Sequence, residues 1–163
     1  MAKFQPMRGS RIGMTFVNTR LAGHLLSADS SHSLKTGYNL LCSEWPATVL
    51  DRLGLSASLF PPVVPPGQRI GYVSVAAAEK TGLPCGLTIF SGMTDGCAAQ
   101  ISAGAVTPGS WNSVLGTTLV MKGVTAELIH DPLGVVYSHR SADGNWLPGG
   151  ASSTGAGILT RDF

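Results

Sequence analysis

Asp95 is the only charged residue between Lys80 and Lys122. It stands between Gly92 and Gly96, after the apolar run Leu87 to Phe90 and ahead of the alanine-rich stretch Cys97 to Ala103. A carboxylate on a glycine-flanked turn after a buried strand is where an α/β sheet commonly presents a reactive group. Its chemistry would be that of a general base taking a hydroxyl proton, an effect of roughly 10²- to 10⁴-fold in rate. The same position also suits an Asp whose side-chain oxygen caps the next helix, and one residue can do both. Two further stretches could hold an anion. Leu115-Gly116-Thr117-Thr118 offers backbone N–H groups and two hydroxyls, with glycine admitting a phosphate at close range; it is equally an ordinary hairpin tip. Gly149 to Gly157 permits close backbone approach but lacks the Lys of GxxxxGK[ST] and the spacing of GxGxxG, which disfavours a Walker-type NTPase.

Other chemistries lack their residues. Ser152 and Ser153 lie outside a GxSxG elbow. His24, His32, His130 and His139 have no metal-ligand spacing and read as surface or turn histidines, so no metal site is expected. Cys42, Cys85 and Cys97 form neither a CxxC pair nor an even-numbered disulfide set, and read as reduced, half-buried small hydrophobes. Trp45, Trp111 and Trp146 are isolated, and core packing accounts for each.

Hydrophobic residues make up 44% of the 163 and charged ones 12%, about half the usual roughly 25%. Disorder is excluded. The net charge of +2 comes from scattered residues, without the basic stripe that binding to a phosphate backbone requires, so nucleic acid is not an expected partner. No run of eighteen apolar residues and no leader pattern is present, so a cytoplasmic protein without a membrane partner is expected. A surface this poor in charge suggests that another domain or subunit covers part of it.

The elements that must position these residues follow from periodicity and punctuation. Glu44 to Leu55 carries apolar residues at helical spacing and ends at Gly54. The cluster Pro61, Pro62, Pro65, Pro66 and Gly67 makes an extended connector. Ile70 to Val73 reads as a strand; Ser74 then caps a helix over Val75 to Thr81 that Gly82 stops. Leu87 to Phe90 is a buried strand, Cys97 to Ala103 a small-residue helix. Trp111 to Leu115 and Thr118 to Met121 form a hairpin, and Val135 to Ser138 with Asn145 to Leu147 a second pair. Gly149 to Gly157 would start a helix, whereas the first twenty-odd residues show no period.

Taken in order, Ser91-Gly92-Met93-Thr94-Asp95-Gly96, Ser113-Val114-Leu115-Gly116-Thr117-Thr118 and Gly149-Gly150 to Gly155-Ala156-Gly157 resemble the FGGY family of carbohydrate kinases, of xylulokinase and ribulokinase type. Upstream, Ala28 to Tyr38 resembles the sugar-domain segment ahead of the Trp45-Pro46 helix, and Leu59 to Gly71 resembles the family's connector. The resemblance runs from about Arg20 to the end.

It implies an α/β chain with part of the actin/hexokinase-like, or ribonuclease H-like, ATPase fold, spanning the junction of two domains that close around a sugar and ATP. Residues 1–82 would end the N-terminal sugar-binding domain, with 1–19 a ragged entry, and 83–163 would begin the C-terminal ATP-binding domain. Asp95 would deprotonate the sugar hydroxyl that attacks the γ-phosphate and so also touch substrate. Gly116 and Thr117 would contact nucleotide phosphates with Thr118 adjacent, and Gly155 would lie against the nucleotide. Asp29 would be a substrate-side acid; Ser30 beside it, where glycerol kinases carry an aromatic, points to pentulose-type substrates. Leu159 replaces a glutamine that some members carry.

ATP and Mg²⁺ would be the cofactors. The glycine-rich hairpin with a magnesium-binding Asp that opens full-length members is not visible, nor is their adenine-binding segment. Transfer needs nucleotide, metal and nucleophile held together, so the isolated chain is expected to be weakly active or inactive. Its partner would be the remainder of a kinase or a second copy in a homodimer. Two alternatives stand beside this reading: a binding or scaffold module of the same fold that has lost catalysis, and an actin-like ATPase without a sugar substrate.

Overall fold

The computed structural model describes residues 13–162, and the chain divides into two units between Gly92 and Met93. The first opens with α1 (Gly13–Ala22), where the sequence shows no period. Thr15, Thr19 and Ala22 are buried while Phe16 and Val17 are exposed. The inward stripe is thus spaced i, i+4, i+7 but written in small and polar residues, which a search for apolar periodicity passes over. The remainder of the expected ragged entry, residues 1–12, lies outside the described residues.

β1 (Ala28–Asp29) leads directly into α2 (Ser30–Leu34), and α3 (Ala47–Arg52) is shorter than the Glu44 to Leu55 expectation. Pro46 stands at its N-cap with non-helical backbone and no side-chain oxygen to accept from the first turn. Trp45 stays outside the helix as an anchor: its Nε1 donates to the Pro61 carbonyl at 2.9 Å, and its ring packs on Tyr38 and Phe60 with centroids 5.1 and 4.7 Å away. That fixes the proline connector, whose β2 (Val63–Val64) pairs in parallel with β1. β3 (Arg69–Tyr72), α4 (Val75–Thr81) and β4 (Thr88–Phe90) follow. Ser74 Oγ accepts from Ala77 N at 3.2 Å, and Gly82 closes α4 with φ +76°, the left-handed turn glycine adopts without strain. Ala22, Leu26, Val73, Ala77 and Ile89 form the core. Because β4 pairs antiparallel with β3, the first unit runs on past Gly82 to Gly92.

The second unit contains α5 (Asp95–Ser102), β5 (Trp111–Leu115), β6 (Leu119–Gly123), β7 (Tyr137–Arg140), β8 (Trp146–Ser152) and α6 (Gly157–Asp162). Its strands make one antiparallel sheet in the order β5-β6-β8-β7. Cys97, Val124 and Leu147 form its core. The glycine run does not begin a helix at Gly149. Met121 pairs with Gly150 and Lys122 with Gly149, so the ladder holds this backbone extended until Ser152 and the helix waits for Gly157. Three smaller expectations also change: Cys42 and Cys85 are exposed, His139 is buried, and Trp111 is 55% exposed. Trp111 lies across the strand over Gly123, where a Cβ would come within 2.8 Å of its ring. Among the described residues no helix is long and apolar enough to cross a membrane, and no group of three or more His, Cys, Asp or Glu could hold a metal ion.

The connection into β7 is organised by Asp131. Its carboxylate accepts from Leu133 N at 3.0 Å and from Val135 N and Val136 N, both at 2.8 Å. These backbone donors, Val136 first, hold its carboxyl below the ordinary 3.8. A carboxyl depressed in the folded state contributes its stability above the ordinary value and loses it as pH falls through the folded value. Amide exchange at Val135 and Val136 should therefore be slow at neutral pH and quicken below about pH 4, relative to intrinsic rates. In Asp131→Asn, where one accepting oxygen becomes a donor, exchange should be fast at both. An acid dependence that survived the substitution would assign it to another group.

Candidate functional site

Alternation along the first hairpin brings Asn112 and Val114 of β5 onto the same face as Val120 and Lys122 of β6. α5 lies along that face, tied to it by Cys97 in the core and by Gln100, whose Nε2 donates to the Gly123 carbonyl at 2.9 Å. Between helix and sheet is a pocket of about 240 Å³ lined by these four strand residues and by Asp95, Gly96 and Ala99 of α5.

Asp95 is the first residue of α5 rather than its cap; Thr94 occupies the N-cap position. Asp95 is exposed, and its Oδ1 accepts from Gly96 N at 2.7 Å. Its Oδ2 accepts no hydrogen bond among the described residues. One oxygen thus fixes the rotamer while the other is open to a proton arriving through the pocket.

Lys122 faces it. The side chain crosses β8 at Gly149, where a Cβ would come within 2.9 Å of Lys122 Cγ, and ends beneath Gly96, where a Cβ would stand 3.3 Å from Nζ. Two glycines therefore make the channel through which a 5%-exposed lysine reaches the pocket. The only hydrogen-bond partner of Nζ among the described residues is the Cys97 thiol, at 3.7 Å.

At the other end of β6 the two glycine-bearing turns meet. Gly116 N donates to the Thr118 carbonyl at 2.9 Å, and Ala156 N donates to the Gly116 carbonyl at 2.8 Å. A Cβ on Gly155 would stand 2.5 Å from the Thr118 carbonyl carbon and 2.8 Å from both Gly116 O and Leu119 N. Gly155 is thus where two backbones touch, and only glycine fits. The Thr117 and Thr118 amides make no hydrogen bond among the described residues, and both residues are exposed. Amides and hydroxyls on such a turn form a concavity suited to phosphate oxygens.

Asp29 belongs to the first unit and is buried. Its Oδ1 accepts from Ser31 N at 3.1 Å, Ser31 Oγ at 2.6 Å and His32 N at 3.0 Å, and its Oδ2 pairs with His32 Nδ1 at 2.8 Å. The carboxylate caps α2, and the more accessible member of the couple is His32, 20% exposed in its side chain.

Of the residues singled out from the sequence, Gly116, Thr117, Thr118 and Gly155 come together, and Asp95 opens on the pocket of the same unit. Lys122, Asn112 and Gln100 were not singled out. Lys122 carries a readable signal: it lies two residues from Val120, which puts it on the α5 side of the hairpin. One carboxylate at the pocket does not make a magnesium site; the described residues suit phosphate and a hydroxyl, not the metal by themselves.

Residues 3–102 match the family model described as "FGGY family of carbohydrate kinases, N-terminal domain". The probable L-xylulose kinase of Pasteurella multocida (strain Pm70) is 30% identical over 98% of this chain and 35% of its own length. The crystal structure of xylulose kinase from Rhodospirillum rubrum superposes with a TM-score of 0.83 at 25% identity, over 91% of this chain and 30% of its own. That of a xyloylose kinase from Brucella ovis gives 0.84 at 22%, over 95% and 32%. The chain spans about a third of the length of these relatives.

Proposed function

The chain belongs to the FGGY family of carbohydrate kinases and has part of their actin/hexokinase-like ATPase fold, and from that premise we propose that it supplies the base and a phosphate-holding turn of an ATP-dependent sugar kinase. In this reading Asp95 Oδ2 takes the proton of a sugar hydroxyl as the hydroxyl oxygen forms its bond to the γ-phosphorus. The bond from that phosphorus to the β-phosphate oxygen breaks, and ADP leaves. Thr117 and Thr118 hold nucleotide phosphates through their amides and hydroxyls, with Gly116 and Gly155 keeping the turn closed. The first unit belongs to the sugar side, with Asp29 acting there through His32, and the second opens the ATP-binding side.

The observation that carries this reading is the open oxygen of Asp95 on a pocket bounded by the strand that also ends in the phosphate-type turn. At about 240 Å³ the pocket is below the roughly 300–1,000 Å³ of ordinary ligand sites; it suits a small polyol or a phosphoryl group, not a whole nucleotide. A pentulose is the substrate class we favour, in line with the xylulose kinases among the relatives and with Ser30. Mg²⁺ would neutralise phosphate charge, with ligands supplied by segments other than these. ATP and phosphorylated sugars place the work in the cytoplasm.

A coupled ADP-release assay over a panel of pentuloses tests the proposal. A kinase containing this chain should turn over ATP only with sugar present, and the 163 residues alone should show little or none. Sugar-independent hydrolysis would favour a plain ATPase, and ATP binding without turnover in the larger protein would favour a scaffold.

A further inference from the structure

A buried ammonium and the positive end of a helix repel each other. Lys122 Nζ nevertheless ends beneath the first turn of α5, close to Gly96. That helix terminus carries about half a positive charge, and a cation there costs on the order of what an anion gains. Lys122 is 5% exposed, forms no ion pair with Asp95 or any other described residue, and its Nζ has only a thiol at 3.7 Å for a partner. Burial without a charge partner is costly for an ammonium, and a weakly accepting thiol offsets little of that cost. In that first turn Asp95 takes the Gly96 amide through Oδ1 and leaves Oδ2 open. Two sources of positive potential therefore converge on one pocket with a single carboxylate at its mouth, an arrangement complementary to an incoming anion with more than one oxygen.

We propose that Lys122 is a substrate-contacting residue that binds the terminal, transferable phosphoryl group of ATP, distinguishing the triphosphate from the diphosphate. This deepens the kinase reading and rests on it. The ammonium would meet an equatorial oxygen of the phosphoryl group while Asp95 faces the attacking hydroxyl, so charge developing on the phosphoryl oxygens is met from the sheet side. After transfer the diphosphate no longer reaches Lys122, which would aid its departure.

Amide NMR titrations of the 163-residue chain with ATP and with ADP, followed at Gly96, Thr117 and Gly155, test this even at millimolar affinity. The unsubstituted chain should bind ATP more tightly than ADP. Lys122→Met, which keeps the stem in its glycine channel, should weaken ATP about tenfold, the scale of one hydrogen bond to a charged group, and leave ADP within about twofold. Lys122→Arg should retain part of the preference. Equal weakening of both nucleotides, or an unchanged ATP preference in Lys122→Met with native amide dispersion, would overturn the inference and leave the kinase reading standing. Failure of the unsubstituted chain to bind either nucleotide would overturn its phosphate-holding role and the inference together. Should Lys122→Met fail to fold, Gly96→Ala serves instead: its Cβ would stand 3.3 Å from both Cε and Nζ of Lys122 and push the end of that side chain aside, and the same loss of ATP preference is expected.

Discussion

Asp95→Asn should lower kcat for sugar phosphorylation by about 10²- to 10⁴-fold in a kinase containing this chain, with far smaller changes in KM. The substitution keeps an oxygen to accept from Gly96 N, so the first turn of α5 should stand as before. What changes is the second atom: an oxygen that accepts a proton becomes an NH₂ that cannot. Because Asp95 is exposed, stability should stay within about 0.5 kcal/mol, and thermal unfolding separates a chemical effect from a folding one. Asp95→Ala should cost a similar factor and release the Gly96 amide besides. Turnover undiminished in Asp95→Asn would remove the residue from the chemistry and with it the basis of the mechanism.

Gly155→Ala should be the most damaging single methyl in the second unit. The added carbon would overlap the Thr118 carbonyl carbon at 2.5 Å and Gly116 O at 2.8 Å. Both are backbone atoms and cannot turn aside as a side chain would, so the two turns must separate and the Ala156 N to Gly116 O bond must lengthen or break. A cost of about 1–3 kcal/mol or more is expected in thermal or denaturant unfolding. Nucleotide affinity should fall at least about tenfold, since the turn bearing Thr117 and Thr118 loses its support. Gly150→Ala is the matched control. Its methyl would meet only Val135 O, at 3.8 Å, an ordinary contact, so stability and binding should barely change. Equal behaviour of the two variants would show that the meeting of the turns is dispensable.

Asp95, the hairpin and its glycine turn were legible because their signals are local. A lone charge in an uncharged window, β-prone runs and a Gly-Thr-Thr tip each act over a few residues. The cap and stop of α4 were legible for the same reason, Ser74 and Gly82 being decided by their own backbone. Non-local features escaped. α1 is helical by tertiary packing of a Thr15, Thr19 and Ala22 stripe, which carries no apolar period. The strand through Gly149 and Gly150 depends on pairing with β6, whereas glycines taken alone point to a turn or a helix start. Asp29, which the resemblance marks as a substrate-side acid, also engages three local donors and His32, contacts set by how α2 turns away from β1 and not announced by the residue type.

β6 carries Thr118 at its threshold and Lys122 four positions on, roughly 13 Å along an extended backbone. Side chains on a strand alternate sides, so deleting or inserting one residue here would do more than alter that span. It would swing the ammonium to the opposite surface, beside Trp111, and bring Met121 or Gly123 into its place. Length changes in this segment are therefore admissible only in even steps, and even those would misplace the cation by about 7 Å. Homologues that use this lysine should show a hairpin free of indels, while Met121, which faces away, varies freely.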